Sequence, residues 1–125
     1  MTSLILDTTG DSTFLAWAEK GSILSETLIL EGRQLSKVLL PSISAILQGN
    51  TPDYIAIGTG PGSFTGSRVG GIVALTFAYA WKIPLVSFSS ALLPKVEEIA
   101  SVTYQKFLSG DLSPQIELVY ISPSP

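Results

Sequence analysis

Asp7 closes a short apolar run, Leu4-Ile5-Leu6, and the stretch GTGPGSFTGSR, Gly58 to Arg68, follows another, Tyr54 to Ile57. A carboxylate at the end of a strand can hold a cation through water. A glycine-rich turn ahead of a helix can offer backbone N–H groups to a phosphate. Two standard phosphate patterns fail here. G-x-G-x-x-G breaks at Ser63 counted from Gly58 and at Thr65 counted from Gly60, and no lysine follows any of the glycines as G-x-x-x-x-G-K-[ST] requires. What remains is a candidate anion loop of Gly60, Gly62, Ser63, Thr65 and Arg68, with Asp7 beside it. The other reading is a tight strand-to-helix turn with a capped helix, in which Asp7 caps a turn of its own.

Residue types exclude more than they suggest. The chain of 125 residues contains no histidine and no cysteine. Histidine-based zinc sites, Ser-His-Asp and Cys-His nucleophiles, and disulfides are therefore ruled out for these residues. Asp7 and Asp11 make no convincing acid/base pair. The formal net charge is -3 and the seven Lys and Arg are scattered, so autonomous nucleic-acid binding is not expected. Charged residues are only 14% against 46% hydrophobic, which fits either a well-filled α/β core or a surface covered by another chain. Met1-Thr2-Ser3 lacks a basic leader region. The longest apolar run, Val69 to Trp81, stops at Lys82 and Pro84, short of the roughly 18–20 residues that cross a bilayer. The expectation is a cytoplasmic protein without a membrane role.

The elements that must position these residues follow from periodicity. Leu4–Leu6, Thr13–Ala18 and Ile23–Leu30 read as strands, the last two joined by the turn Glu19-Lys20-Gly21-Ser22. Leu35, Val38, Leu39, Ser42, Ile43, Ile46 and Leu47 mark one face of a helix over about Arg33–Gln48, with Pro41 inside it and Gly49-Asn50-Thr51-Pro52 as its stop. Tyr54–Ile57 is a fourth strand, about Thr65–Trp81 a second helix, and Pro84–Phe88 a fifth strand. A third helix is expected to run from a Ser89 or Ser90 cap to about Leu108, with Pro94 in its first turn. Ile116–Ile121 could add a last strand. The order βββαβαβα predicts an α/β fold with a mixed five-stranded sheet and helices on its faces.

The second helix carries Gly66, Gly70, Ala74 and Ala78 at four-residue spacing. Small residues at that spacing let another backbone come close, and helical glycine costs about 1 kcal/mol against alanine, so an offsetting contact is expected. The helix is apolar nearly all round, which calls for cover on more than one side. One side suits the sheet. The stripe, with Leu35 and Leu39 of the first helix, is expected to meet a partner; the competing reading packs it on the chain's own sheet.

Two resemblances bear on function. LILDTTG ahead of a β-meander is similar to the first phosphate loop of actin-like ATPases and sugar kinases, which read Asp-x-Gly-[Thr/Ser]; here Thr9 stands at the glycine position. LILDTTGDSTFLAW, LSKVLLPSI and above all GPGSFTGSRVG resemble the TsaB (YeaZ) family, in order from about Leu4 to Ser90. That resemblance implies an actin-like ATPase (ribonuclease H-like) half over 1–108 and a tail over 109–125, a possible remnant of a second domain. It implies a non-catalytic subunit of the complex that attaches threonylcarbamoyl to adenosine 37 of tRNAs reading codons starting with A. The implied partners are a TsaD-like catalytic subunit, paired through the first two helices, and a TsaE-like ATPase. The chain alone would form a homodimer and would meet tRNA only through the complex, with no cofactor and no metal of its own. The alternative is a nucleotide-binding ATPase or small kinase of the actin-like fold.

Overall fold

Lys20 and Gly21 both adopt positive φ, 51° and 80°, and this two-residue turn sets the first half of the fold. Such a turn matches the twist of antiparallel strands and joins β2 (Thr13–Glu19) to β3 (Ser22–Ile29) as a hairpin. β1 (Thr2–Asp7) pairs antiparallel with β2 on one side and parallel with β4 (Tyr54–Gly58) on the other. β5 (Leu85–Phe88) adds parallel to β4, so the sheet reads β3-β2-β1-β4-β5. The computed structural model describes residues 1–8, 13–29, 35–59, 64–89 and 95–112, without the side chains of 28–29, 35–36 and 64–69. The expected element order βββαβαβα and the mixed five-stranded sheet are both present. The candidate strand Ile116–Ile121 lies outside the described residues.

Alternation along β1 explains why both sheet faces need cover. Leu4 and Leu6 point to a core that holds Leu15, Trp17, Ile55, Ile57 and Leu85, closed by α1 (Leu35–Leu47) and α2 (Phe64–Trp81). Ile5 points the other way, to a core with Ala16, Ala56, Val86 and Phe88, closed by α3 (Val96–Ser109) through Ile99 and Ala100. Leu4, Ile5 and Leu6 are all buried, and each such side chain contributes about 1.5–3 kcal/mol by leaving water. β1 and β4 thus behave as fully covered parallel strands, which need helices on both faces.

The helix ends are set by local chemistry. α1 keeps Pro41 inside it, where the missing N–H leaves the Lys37 carbonyl without its helical partner. It ends as Gln48 and Gly49 turn to positive φ, and Asn50 caps it, its backbone N–H and its Nδ2 both donating to the Leu47 carbonyl at 2.9 and 3.0 Å. α3 corrects one expectation. It starts at Val96, with extended Lys95 as its first cap and no side-chain cap bond, rather than at Ser89 or Ser90. Pro94 therefore precedes the helix instead of sitting in its first turn; a proline disfavours helical backbone in the residue before it, which works against an earlier start. Glu97 and Glu98 in the first turn and Lys106 in the last suit the helix dipole.

Tyr54 packs under α3, its ring stacked on Phe107 at 4.5 Å. Its hydroxyl is buried without a well-formed hydrogen bond among the described residues, although the Ser3 and Thr103 hydroxyls are close by. Desolvation pushes the Tyr54 phenol above its ordinary value, those two hydroxyls oppose the rise, and Tyr104 adds to it. The neutral form is favoured in the fold, so this contribution to stability is intact below the unfolded value of 10.0. It is lost as pH climbs past that value, because the unfolded chain gives up the proton first. Tyr54→Phe is expected to change stability at pH 7 by less than about 1 kcal/mol and to flatten the decline above pH 10, read by urea denaturation across pH. A second test concerns the hairpin. A side chain at Gly21 would be strained at its φ of 80° and would place a Cβ 3.3 Å from Tyr104 Cδ2. Gly21→Val should cost about 1–3 kcal/mol, measured by the same denaturation.

Candidate functional site

The sheet changes from antiparallel to parallel pairing at β1, and ligands in open α/β sheets gather beyond the strand ends at such a point. Parallel register pairs Leu6 with Ile57, which brings Asp7 alongside Gly58. A Cβ on Gly58 would lie 2.6 Å from Asp7 Cγ, so the glycine is what leaves room for the carboxylate. Thr59 continues from β4 and donates to the Phe88 carbonyl twice, from its N–H at 3.0 Å and from its hydroxyl at 3.2 Å. These bonds tie the end of β4 to the end of β5.

Thr8 is 1% exposed and lies under α2. A Cβ on Gly70 would overlap Thr8 Oγ1 and come within 2.8 Å of its Cγ2. α2 is therefore laid directly on the end of β1. The site joins one carboxylate, a buried threonine, a glycine that makes room and the approach of a helix. Gly60, Gly62 and Ser63 of the candidate anion loop lie outside the described residues. Thr65 and Arg68 fall in the first turns of α2, with their side chains not described. Among the described residues no group of three or more His, Cys, Asp or Glu is placed to hold a metal ion. Gly58 and Thr8 were not singled out by sequence reasoning; the signal for Gly58 was available in a parallel register that sets it beside Asp7.

The helix pair forms the second candidate surface, and here the small-residue expectation is corrected. Gly70 faces Thr8, Ala74 is 1% exposed, Ala78 is buried, and Leu39 is 1% exposed within the same core. These four positions pack within the chain's own core. The close approach that small residues permit is spent on β1 and its neighbours. Leu35 opens α1 and Gly66 lies in α2, both without described side chains.

The outward side of the pair carries larger residues. Ile72 is 64% exposed, Tyr79 88%, and Leu40 of α1 51%. Thr76 lies between Ile72 and Tyr79 in the helix and returns its hydroxyl to the Ile72 carbonyl at 2.8 Å, which removes a polar demand from the surface. Beside them Phe77 and Trp81 stack at 4.6 Å and line a cleft of about 290 Å³ with Leu40, Ile43 and Leu47. The sequence signal for this face was the helix that stays apolar opposite its own small-residue stripe. Isolated apolar surface residues are ordinary; several on two neighbouring helices make this side of the pair a candidate interaction surface.

Gly70→Ala is expected to lower stability by about 1–3 kcal/mol through overpacking at Thr8. Adding Thr8→Ala should recover part of that loss, giving a non-additive cycle in urea denaturation.

Comparison with known proteins gives these surfaces a context. A family profile described as TsaD, tRNA N6-adenosine threonylcarbamoyltransferase, matches residues 30–93. The tRNA threonylcarbamoyladenosine biosynthesis protein TsaB of Haemophilus influenzae is 36% identical over 97 residues, covering 72% of this chain and 40% of that protein. The solved structure of YeaZ from Pseudomonas aeruginosa superposes with a TM-score of 0.64 at 31% identity, covering 70% of this chain and 43% of that one. Thermus thermophilus RuvC, at 11% identity and a TM-score of 0.61 over 91% of this chain and 99% of its own, shares the fold. The chain spans about two fifths of the length of the curated relative it matches. Sequence likeness, structural likeness and the ribonuclease H-like sheet agree, and this chain belongs to the TsaB (YeaZ) family.

Proposed function

We propose that this chain is a non-catalytic subunit of the machinery that attaches threonylcarbamoyl to adenosine 37 of tRNAs reading codons starting with A. It acts by docking the outward face of α1 and α2 on a TsaD-like catalytic subunit, with a TsaE-like ATPase joining the pair. The supporting observation is that Leu40 on α1 and Ile72 and Tyr79 on α2 are large apolar side chains left exposed, with the Phe77–Trp81 cleft between the two helices, in a chain of the TsaB family. The TsaD profile matches the segment that contains both helices of this face. A TsaD-like partner would then present a comparable helix pair, and two such pairs can meet about a two-fold or pseudo-two-fold axis. The same geometry supports a homodimer when the catalytic subunit is absent. In this reading tRNA is met through the complex, which agrees with the scattered basic residues and the net charge of -3.

Ile72→Asp with Tyr79→Asp places two charges on the outward side of α2. Because both side chains are exposed, the fold should persist by circular dichroism. Affinity for the catalytic subunit should fall by more than about thirtyfold, in line with the loss of interface anchors worth about 2 kcal/mol or more. Pull-down and calorimetry check this, and reconstituted tRNA modification should fall with it. Binding that survives both substitutions would remove the helix face from the interface.

A second reading, nucleotide binding at the strand ends, draws on the Asp7 carboxylate seated against Gly58 at the switch in the sheet. Titration of the chain alone with ATP and Mg²⁺ separates the two. The subunit reading expects no saturable binding at millimolar nucleotide; saturable binding abolished by Asp7→Ala would establish the second.

A further inference from the structure

Pro41 stands at the middle of the 13-residue α1. Proline is the costliest residue in a helix interior, because it removes one backbone donor and crowds the carbonyl four residues back. Here it fills no space in the core. Pro41 is exposed, as are Lys37, Leu40 and Ser44, while Leu39, Ile43 and Leu47 on the other side are buried. Residues four apart share a helix face, so the Lys37 carbonyl that lost its donor lies on the outward side of the helix pair. We propose that this carbonyl is an acceptor in the docking of α1 and α2, and that the partner subunit meets it with a neutral donor, an amide or hydroxyl side chain.

The need for a donor follows from burial. In the free chain, water can bond an exposed carbonyl. A subunit seated on this face removes that water, and a carbonyl buried without a partner costs more than the lost bond would have contributed. An α-helix satisfies its mid-length carbonyls internally and brings no such demand to an interface. Pro41 makes Lys37 the exception in α1. The proposal rests on the docking reading above and adds to it the chemistry of one contact.

The charge pattern of the face selects the kind of donor. Among the described side chains of α1 and α2, Lys37 is the only charged one. An arginine or lysine brought to the Lys37 carbonyl would set a second cation close to the first. In a site that is losing water, like charges repel more strongly. An asparagine, glutamine, serine or threonine donates without that repulsion. Leu40, next to Pro41, is exposed, so the donor reaches the carbonyl beside an apolar neighbour that loses water in the same contact.

Pro41→Ala restores the N–H that bonds the Lys37 carbonyl inside the helix, so stability and docking should change in opposite directions. The urea midpoint of the full chain should rise. Affinity for the TsaD-like subunit, read by calorimetry, should fall about fivefold, the worth of one neutral hydrogen bond. A helix straightened by the substitution would also weaken binding, and a mutant cycle separates the two causes. Asparagine, glutamine, serine and threonine residues on the partner's docking surface are changed to alanine one at a time and bound to both forms of this chain. One of them should cost about fivefold against the unsubstituted chain and little against the Pro41→Ala chain. A midpoint that does not rise, an affinity that does not fall, or a partner scan with no coupling to position 41 each overturns the proposal. Ile72→Asp with Tyr79→Asp tests the face itself. The Lys37 contact falls alone when that pair abolishes binding and Pro41→Ala leaves it unchanged; when neither alters binding, the docking reading falls with it.

Discussion

The contact between Gly70 and Thr8 sets how closely α2 can lie on the sheet, and much of the molecule follows from that distance. With no side chain at position 70, the helix backbone rests on the end of β1. Ala74 and Ala78 continue the same close approach along the helix axis into the core around Leu4, Leu6 and Ile57. The small residues leave the bulk of α2 pointing elsewhere: Phe77 and Trp81 toward α1, Ile72 and Tyr79 toward water. Core packing and the proposed interface are thus two consequences of one choice of side-chain sizes around a helix. The cost of helical glycine, about 1 kcal/mol against alanine, is offset inside the monomer and needs no partner to explain it.

Most of the architecture was legible in the sequence because its signals are short-ranged. The two-residue turn at Lys20-Gly21, the short apolar run of β1 and the Gly49-Asn50 stop after α1 each act over a few residues. The stripe was different. Periodicity identifies which residues share a helix face, but the identity of the facing surface depends on how β1, β4 and α2 come together. Gly66, Gly70, Ala74 and Ala78 would look the same against a sheet or against a second helix. The start of α3 was misplaced for a similar reason: two serines offered a cap, and Pro94 four or five residues later competed with it. At the strand ends, Asp7 stood out by type and position, whereas Gly58 gained its meaning only from a register across 51 residues of chain.

Coverage of the sheet also bears on what the chain can be by itself. β1 and β4 are buried on both faces by helices within the described residues. Thr2 and Asp53 reinforce the opposite end of the same two strands: the Thr2 N–H donates to Asp53 Oδ2 at 2.7 Å and the Asp53 N–H returns to the Thr2 carbonyl at 2.9 Å. The parallel pair at the centre of the fold is therefore fixed at both ends, by backbone and carboxylate at one and by the Asp7–Gly58 and Thr8–Gly70 contacts at the other.

That rigidity assigns different work to the two candidate surfaces. The strand-end site is built on positions whose side chains already serve the fold: Thr8 supports α2, and Thr59 ties β4 to β5. Change there is felt by the core first. The outward face of α1 and α2 carries no such duty, since Ile72 and Tyr79 can change without touching the sheet. A surface that the fold does not need, yet that keeps large apolar side chains in water, is maintained against its own solvation cost. The economical physical reason for keeping it is a second surface that removes it from water, and the helix pair is rigidly held to present it.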